Sequence, residues 1–225
     1  MTLRHLITHY LEAVSYLIYG VSLLYWMRQD KRGIIKILTG GNFLFATLII
    51  LATVIKGGNL HFYKLLCVST AIFLTLYFYR ILNKNWQKII SLIFCMLNTA
   101  YYIYVNIRSP DLPVFDSVGF VILSATIVIL IFMYMHQLLS NVSEEPLSMN
   151  FDFWFVSAQL FYFLGAFFIF LTYGNLTSQL LTQNKRVSIT LAWLWGFHNV
   201  LLFLSALIIS GSIAWISYRN KLRLS

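Results

Sequence analysis

Acidic side chains are scarce in this sequence. Asp and Glu number 7 against 16 Lys and Arg, and charged residues of both signs make up only 10% of the chain. Soluble domains carry ~25% charge, so a water-solvated surface is excluded and lipid must be part of the solvent. Proline is nearly as rare. Its 3 copies, Pro110, Pro113 and Pro146, fall in two short polar stretches that cannot continue a helix. No apolar segment holds one, which excludes proline-kinked helices and counts against the interrupted-helix design of many transporters. Cysteine is limited to Cys67 and Cys95, each well inside an apolar segment. A disulfide framework is excluded, and both read as free thiols embedded in lipid. No polar stretch is long enough for a soluble domain, so function must sit within the apolar segments, on their short connections, or on a partner.

What is present is a series of seven long apolar segments, at about residues 6–27, 34–55, 60–82, 86–107, 115–139, 151–173 and 188–217. Each reaches the ~20 residues that a helix needs to cross a hydrocarbon core of ~30 Å. The sequence predicts an all-α, polytopic membrane protein: a single domain over 1–225 built as a seven-transmembrane-helix bundle. The first segment carries early Glu and His residues and no small-residue cleavage site, so it is expected to stay as the first helix rather than be removed as a signal peptide. The formal charge of +9 does not indicate nucleic acid, because the basic residues gather at segment ends, where headgroups and the positive-inside effect account for them. Arg28, Lys31, Arg32, Lys36, Arg80, Lys84, Lys88, Arg219, Lys221 and Arg223 flank one side; Arg4, Lys56, Lys64, Arg108, Lys185 and Arg186 flank the other. The richer side should be cytoplasmic. That puts the amino terminus outside and the carboxyl terminus inside, in a cell membrane and, for a bacterium, the inner one.

Small residues mark expected close helix contacts: Gly40 and Gly41 in the second segment, Gly165 in the sixth, and Ser210, Gly211 and Ala214 in the seventh. The sixth segment has aromatics all round, from Phe151 and Trp154 through Phe161, Tyr162 and Phe163 to Phe170 and Tyr173, which suits filling a core or facing lipid better than an apolar ligand pocket. Asn175-Leu176-Thr177 is a formal glycosylation sequon on the outer side. No internal repeat is visible, which argues against three-plus-one-plus-three sugar carriers.

Ionisable groups inside a membrane are costly and so are the first candidates for function. His5, His9 and Glu12 follow i, i+4, i+7 spacing on one face of the first segment, with Tyr16 continuing the stripe. Such a stripe is compatible with a metal, but a polar face turned into the mouth of the bundle fits better, with Glu12 paired to Lys64 or hydrogen-bonded to a tyrosine. His61 opens the third segment on the same side. His198 is the deepest histidine, beside Asn199, and is expected to hydrogen-bond between helices or recognise a ligand. His136 lies near the other end and cannot meet the rest at one depth. No metal centre, haem pair or other cofactor is therefore expected.

Enzyme families fail on missing residues. The last segment has no lysine for a retinal Schiff base, no His-Glu-x-x-His motif occurs, Glu144-Glu145 lacks a following arginine, and Gly20-Val21-Ser22 runs into Leu23 rather than the glycine of a rhomboid-type protease. A catalytic set is not expected.

Across most of the chain, Phe115-Asp116-Ser117, Phe132-Met133-Tyr134-Met135-His136-Gln137, Pro146 before Phe153-Trp154, Phe161-Tyr162-Phe163-Leu164-Gly165, Trp193 and Phe197-His198-Asn199 resemble small seven-helix membrane proteins of the Bacteroidota. Asp116 stands where those proteins often carry a glutamate. The resemblance implies a sensory or receptor-like module working with a separate signalling protein. The expected function is thus a membrane sensor or signalling partner whose outer mouth, lined by His9, Glu12, His61, His198 and Asn199, meets a ligand or partner. An assembly subunit of a larger membrane complex and a small-molecule transporter are the alternatives. The rare polar groups are expected mostly in the outer half.

Overall fold

The computed structural model describes residue 7 and residues 10–54, 59–108, 116–140, 146–180 and 185–224. They form seven helices: α1 (Leu11–Trp26), α2 (Gly33–Val54), α3 (Asn59–Ile81), α4 (Asn85–Arg108), α5 (Ser117–Ser140), α6 (Phe151–Leu180) and α7 (Lys185–Leu224), with one 3-10 turn, Leu147–Met149, after Pro146. Among the described residues there is no strand. Six of the helices, α2 to α7, are long and apolar enough to cross a membrane, and α1 adds a shorter apolar helix of 16 residues. This is the make-up of a multi-pass membrane protein.

Two helices differ at their boundaries from the sequence expectation. Helix α6 runs on from Tyr173 to Leu180, and α7 starts at Lys185 and continues to Leu224. Hydropathy marks where a segment stops being apolar, whereas the backbone ladder continues through any residue that tolerates a helix, as Asn175 and Lys221 do. At 1.5 Å per residue, the 40 residues of α7 span ~60 Å, so this helix overhangs any bilayer core.

Neighbours in sequence pack antiparallel, α1 also packs on α7, and α3 reaches α5 directly. Six helices therefore close into a ring, and α4 lies outside it against α3 and α5. Only 17% of the apolar span of α4 is buried, against 44–56% in the other five long helices. Its sequence explains the placement. Gln87, Ser91, Asn98 and Tyr102 form a buried stripe, while Ile89, Ile93, Met96, Leu97 and Ile103 are exposed. Such a polar-in, apolar-out helix reverses the water-soluble pattern, and suits a solvent in which polar groups find partners only inside the protein. The Ser91 hydroxyl donates to the Thr75 carbonyl at 2.7 Å, and the Asn98 amide donates to Thr126 Oγ1 at 3.1 Å.

Glycine permits close approach at two places along α2 and α6. A Cβ on Gly41 would lie 3.2 Å from the Phe73 ring of α3, and one on Gly165 would collide with Leu201 of α7. Gly40 and Gly211 are different: a Cβ there would meet no neighbour within 4 Å. Ala214 is exposed, while Ser210 is bonded to α1 through Ser22 Oγ at 2.6 Å. Cys67 departs from the lipid-facing expectation. It is fully buried and hydrogen-bonded by Tyr102, whereas Cys95 is half-buried.

Candidate functional site

Glu12, Tyr16 and Tyr19 recur at i, i+4 and i+7 on α1, which carries all three onto its buried face. Glu12 and Tyr16 face Tyr63 and Thr70 of α3, Phe120 and Ser124 of α5, Tyr162 and Phe170 of α6, and Trp195 and His198 of α7. The Glu12 end of this interior encloses a cavity of about 10 Å³ lined by five helices, which is room for about one water-sized particle.

Glu12 is only 3% exposed, yet it is the one acidic residue on that lining. It accepts a hydrogen bond from the Tyr63 hydroxyl at 3.4 Å. Of the two expected partners it is thus the tyrosine that is found, while Lys64 turns instead to Asn106 Oδ1 at 3.2 Å. Among the described residues, ion pairs are confined to Arg32, so no described cation neutralises Glu12.

His198, 2% exposed, is held on both ring nitrogens. Asn199 Nδ2 donates to the Ile7 carbonyl at 2.9 Å, which turns Oδ1 of the same amide toward His198 Nδ1 at 3.1 Å. Nδ1 must then carry the proton. Nε2 is left as the acceptor, and the Tyr162 hydroxyl donates to it at 2.6 Å. The imidazole also packs against Phe170 and Trp195, with ring centroids 4.9 and 5.3 Å away, and Trp195 meets Tyr63 edge-on at 5.1 Å.

A second cavity of about 40 Å³ shares Tyr16, Thr70, Tyr162 and Phe163 with the first and adds Asn42, Tyr19 and Gln159. Below it a hydroxyl seam joins α1 to α7. Gln159 Nε2 donates to Tyr19 Oη at 3.2 Å, Tyr19 bonds Ser205, Ser22 bonds Ser210, and Gln29 Nε2 donates to Ser217 Oγ at 2.7 Å.

The opposite end holds a charged clasp. Arg32 donates through Nη1 and Nη2 to the two carboxylate oxygens of Asp152, at 2.7 and 3.0 Å, and through Nε to Asp30 at 2.8 Å. Tyr77 donates to Asp152 Oδ1 at 2.7 Å. The clasp ties the α1–α2 connection to the start of α6, where a carboxylate also suits the helix dipole. Burial works to raise the Asp30 pKa, but hydrogen bonds and charge from Arg32 outweigh it and hold the carboxyl below its usual value. Burial works to lower that of Arg32, and its bonds to Asp152 and Asp30 carry it further upward.

Of the residues singled out by sequence, the structure brings Glu12, His198 and Asn199 together. His61 is exposed at the start of α3 and does not line the cavity, and His9 lies outside the described residues. The polar groups do not concentrate at one end. The Arg32 clasp, and Gln137, which accepts from the Asn83 backbone N–H at 2.7 Å, lie at the other. Tyr63, Trp195 and Gln159 sit among many aromatics, and no period in the sequence sets them apart; Tyr162, expected to fill the core or face lipid, lines the cavity instead. Asp152, an acid in the first turn of an apolar helix, was the signal available for the clasp. Among the described residues no group of three metal-ligating side chains gathers. Compared with protein families, curated proteins and solved structures, the chain matches none.

Proposed function

We propose that this chain is a seven-span membrane sensor or signalling-partner module, with its ligand site at the Glu12–His198 cavity and its carboxyl terminus in the cytoplasm. One observation carries the reading: a buried acid that no described cation pairs with and a fully committed buried histidine, from opposite ends of the chain, converge on one cavity walled by five helices. A ligand there would touch most of the bundle at once, so its binding would favour one helix arrangement over another. The Arg32–Asp152 clasp, at the proposed cytoplasmic end, would present that change to a partner. Kinship with the small seven-helix proteins of the Bacteroidota is part of the proposal and rests on residue pattern alone.

Transcript profiling of cells carrying Glu12→Gln or His198→Ala at native expression tests the site. Both variants should reproduce the profile of the deletion strain while keeping the same membrane partners on co-purification. Wild-type profiles in both would overturn the assignment.

Transport is the second reading, and it is favoured by the adjoining cavities that extend the polar lining from Glu12 to Asn42 and Gln159. It expects cysteines placed at Thr70, Asn42 and Gln159 to react with impermeant thiol reagents from both faces of the membrane. Reaction from one face only counts against it.

A further inference from the structure

We propose that the groove between the carboxyl-terminal halves of α1 and α7 holds one anionic phospholipid, with an acyl chain along the groove and the phosphate at Lys221. The groove shares no residue with the Glu12 cavity, and the proposal does not rest on the ligand reading given there.

Shape is the first ground. Val21 and Tyr25 of α1 and Ala214 and Tyr218 of α7 form exposed walls over a floor that includes buried Ile213. The space measures about 480 Å³, within the ~300–1,000 Å³ of small-molecule sites. Along α7 it runs from Ser210 to Lys221, which at 1.5 Å per residue is ~16 Å. That is close to half of a hydrocarbon core of ~30 Å. The groove thus has the depth of one leaflet, and its basic end lies where a headgroup would.

Polarity is the second. The three serines of the groove are already engaged: Ser22 bonds Ser210, Ser210 donates to the Ala206 carbonyl at 2.9 Å, and Ser217 accepts from Gln29. An alkyl chain laid there gains dispersion contacts along its length and strands no polar group. A polar ligand would find these hydroxyls spent on holding α1 to α7.

Charge is the third. Lys221 closes the groove, and Arg28, three residues past Tyr25, is exposed at the same end. Among the described residues the acids at this end are Asp30 and Asp152, and both are bonded to Arg32. The mouth therefore presents a cation with no described counter-charge, which complements a lipid phosphate. A second copy of this chain is a poorer occupant. Two copies inserted the same way round and related by a two-fold axis would set Lys221 beside Lys221, like charge against like.

Native mass spectrometry tests the site, with the full chain in detergent titrated with phosphatidylglycerol or with phosphatidylcholine of the same acyl chains. Wild type should retain one phosphatidylglycerol per chain and much less phosphatidylcholine. Lys221→Gln should weaken phosphatidylglycerol binding about fivefold, as for one basic residue near anionic lipid. Lys84→Gln removes an exposed cation from the same end but off the groove, and should change nothing. Ala214→Trp fills the space and should abolish retention of the lipid. Lys221 and Lys84 are both exposed, so their comparison decides the matter even if Ala214→Trp does not fold. A wild type without bound phosphatidylglycerol, equal retention of the two lipids, or retention by folded Ala214→Trp would each overturn the proposal. Equal losses in Lys221→Gln and Lys84→Gln would also overturn it, because they would mean a diffuse basic surface. So would a wild-type dimer that Ala214→Trp disperses, since a second copy would then be what fills the groove.

Discussion

His198 shows how one residue can be constrained from both sides. Its tautomer follows from the Asn199 amide, whose own orientation follows from the Ile7 carbonyl, and the Tyr162 hydroxyl completes the pair. Tyr162→Phe would leave Nε2 buried without a donor, at a cost of about 1–3 kcal/mol. Unfolding in mixed micelles should show that loss, and a variant as stable as wild type would mean that the bond contributes nothing. The Arg32 clasp carries a pH prediction. Because the Asp30 carboxyl sits below its usual value in the fold, its contribution is present above the unfolded-chain pKa and is lost as pH falls through the lowered one. The upward shift of Arg32 has its effect only at strongly alkaline pH. Acidification from about pH 6 to about pH 2.5 spans the carboxylate range, and should lower the thermal midpoint of wild type more than that of Asp30→Asn. The difference should stay under about 1 kcal/mol, since Arg32 is exposed and solvent screens the pair from its side.

Among the elements, α4 is the one whose sequence most directly states its surroundings. Its stripe of Gln87, Ser91, Asn98 and Tyr102 is buried and its aliphatic face is bare, so lipid is the solvent that its pattern fits. Asn98→Ala removes the bond to Thr126 on α5 and should weaken α4 docking by about 0.6–1.7 kcal/mol, the range for hydrogen bonds between membrane helices. Leu97→Lys places a charge on the bare face and should cost about 2.5–3.5 kcal/mol of insertion free energy, read from the fraction of protein integrated into membranes. An unchanged fraction would argue that α4 faces a protein partner or water. That α4 is a long apolar helix could be read from composition. That it stands outside the ring could not, because neighbour order is set by the direct packing of α3 on α5, between residues distant in sequence.

For the molecule as a whole, the α1–α7 seam decides whether the bundle closes on itself. Ser22 and Ser210 hydroxyls are 2.6 Å apart. A chain with Cys67 and Cys95 replaced by alanine, and with Ser22→Cys and Ser210→Cys added, should oxidise to an intrachain disulfide without dimers. Disulfide-linked dimers would favour the assembly-subunit alternative, in which this face of α7 meets another chain. A reporter fused to the carboxyl terminus should be active in the cytoplasm, since the basic residues of the Arg32 end outnumber those of the Glu12 end. Sequence by itself determined the all-α class, the apolar segments and the shortlist of ionisable residues, because a bilayer leaves few ways to satisfy a backbone and few acids or histidines are present to choose from. Only the tertiary structure decided that Glu12, His198 and Asn199 share one interior while His61 stays outside, that Lys64 turns away from Glu12, and that Asp152 meets Arg32 at the far end. Those pairings depend on helix rotation and neighbour order. Segments that are apolar all round leave both undetermined until side chains from distant parts of the chain pack together.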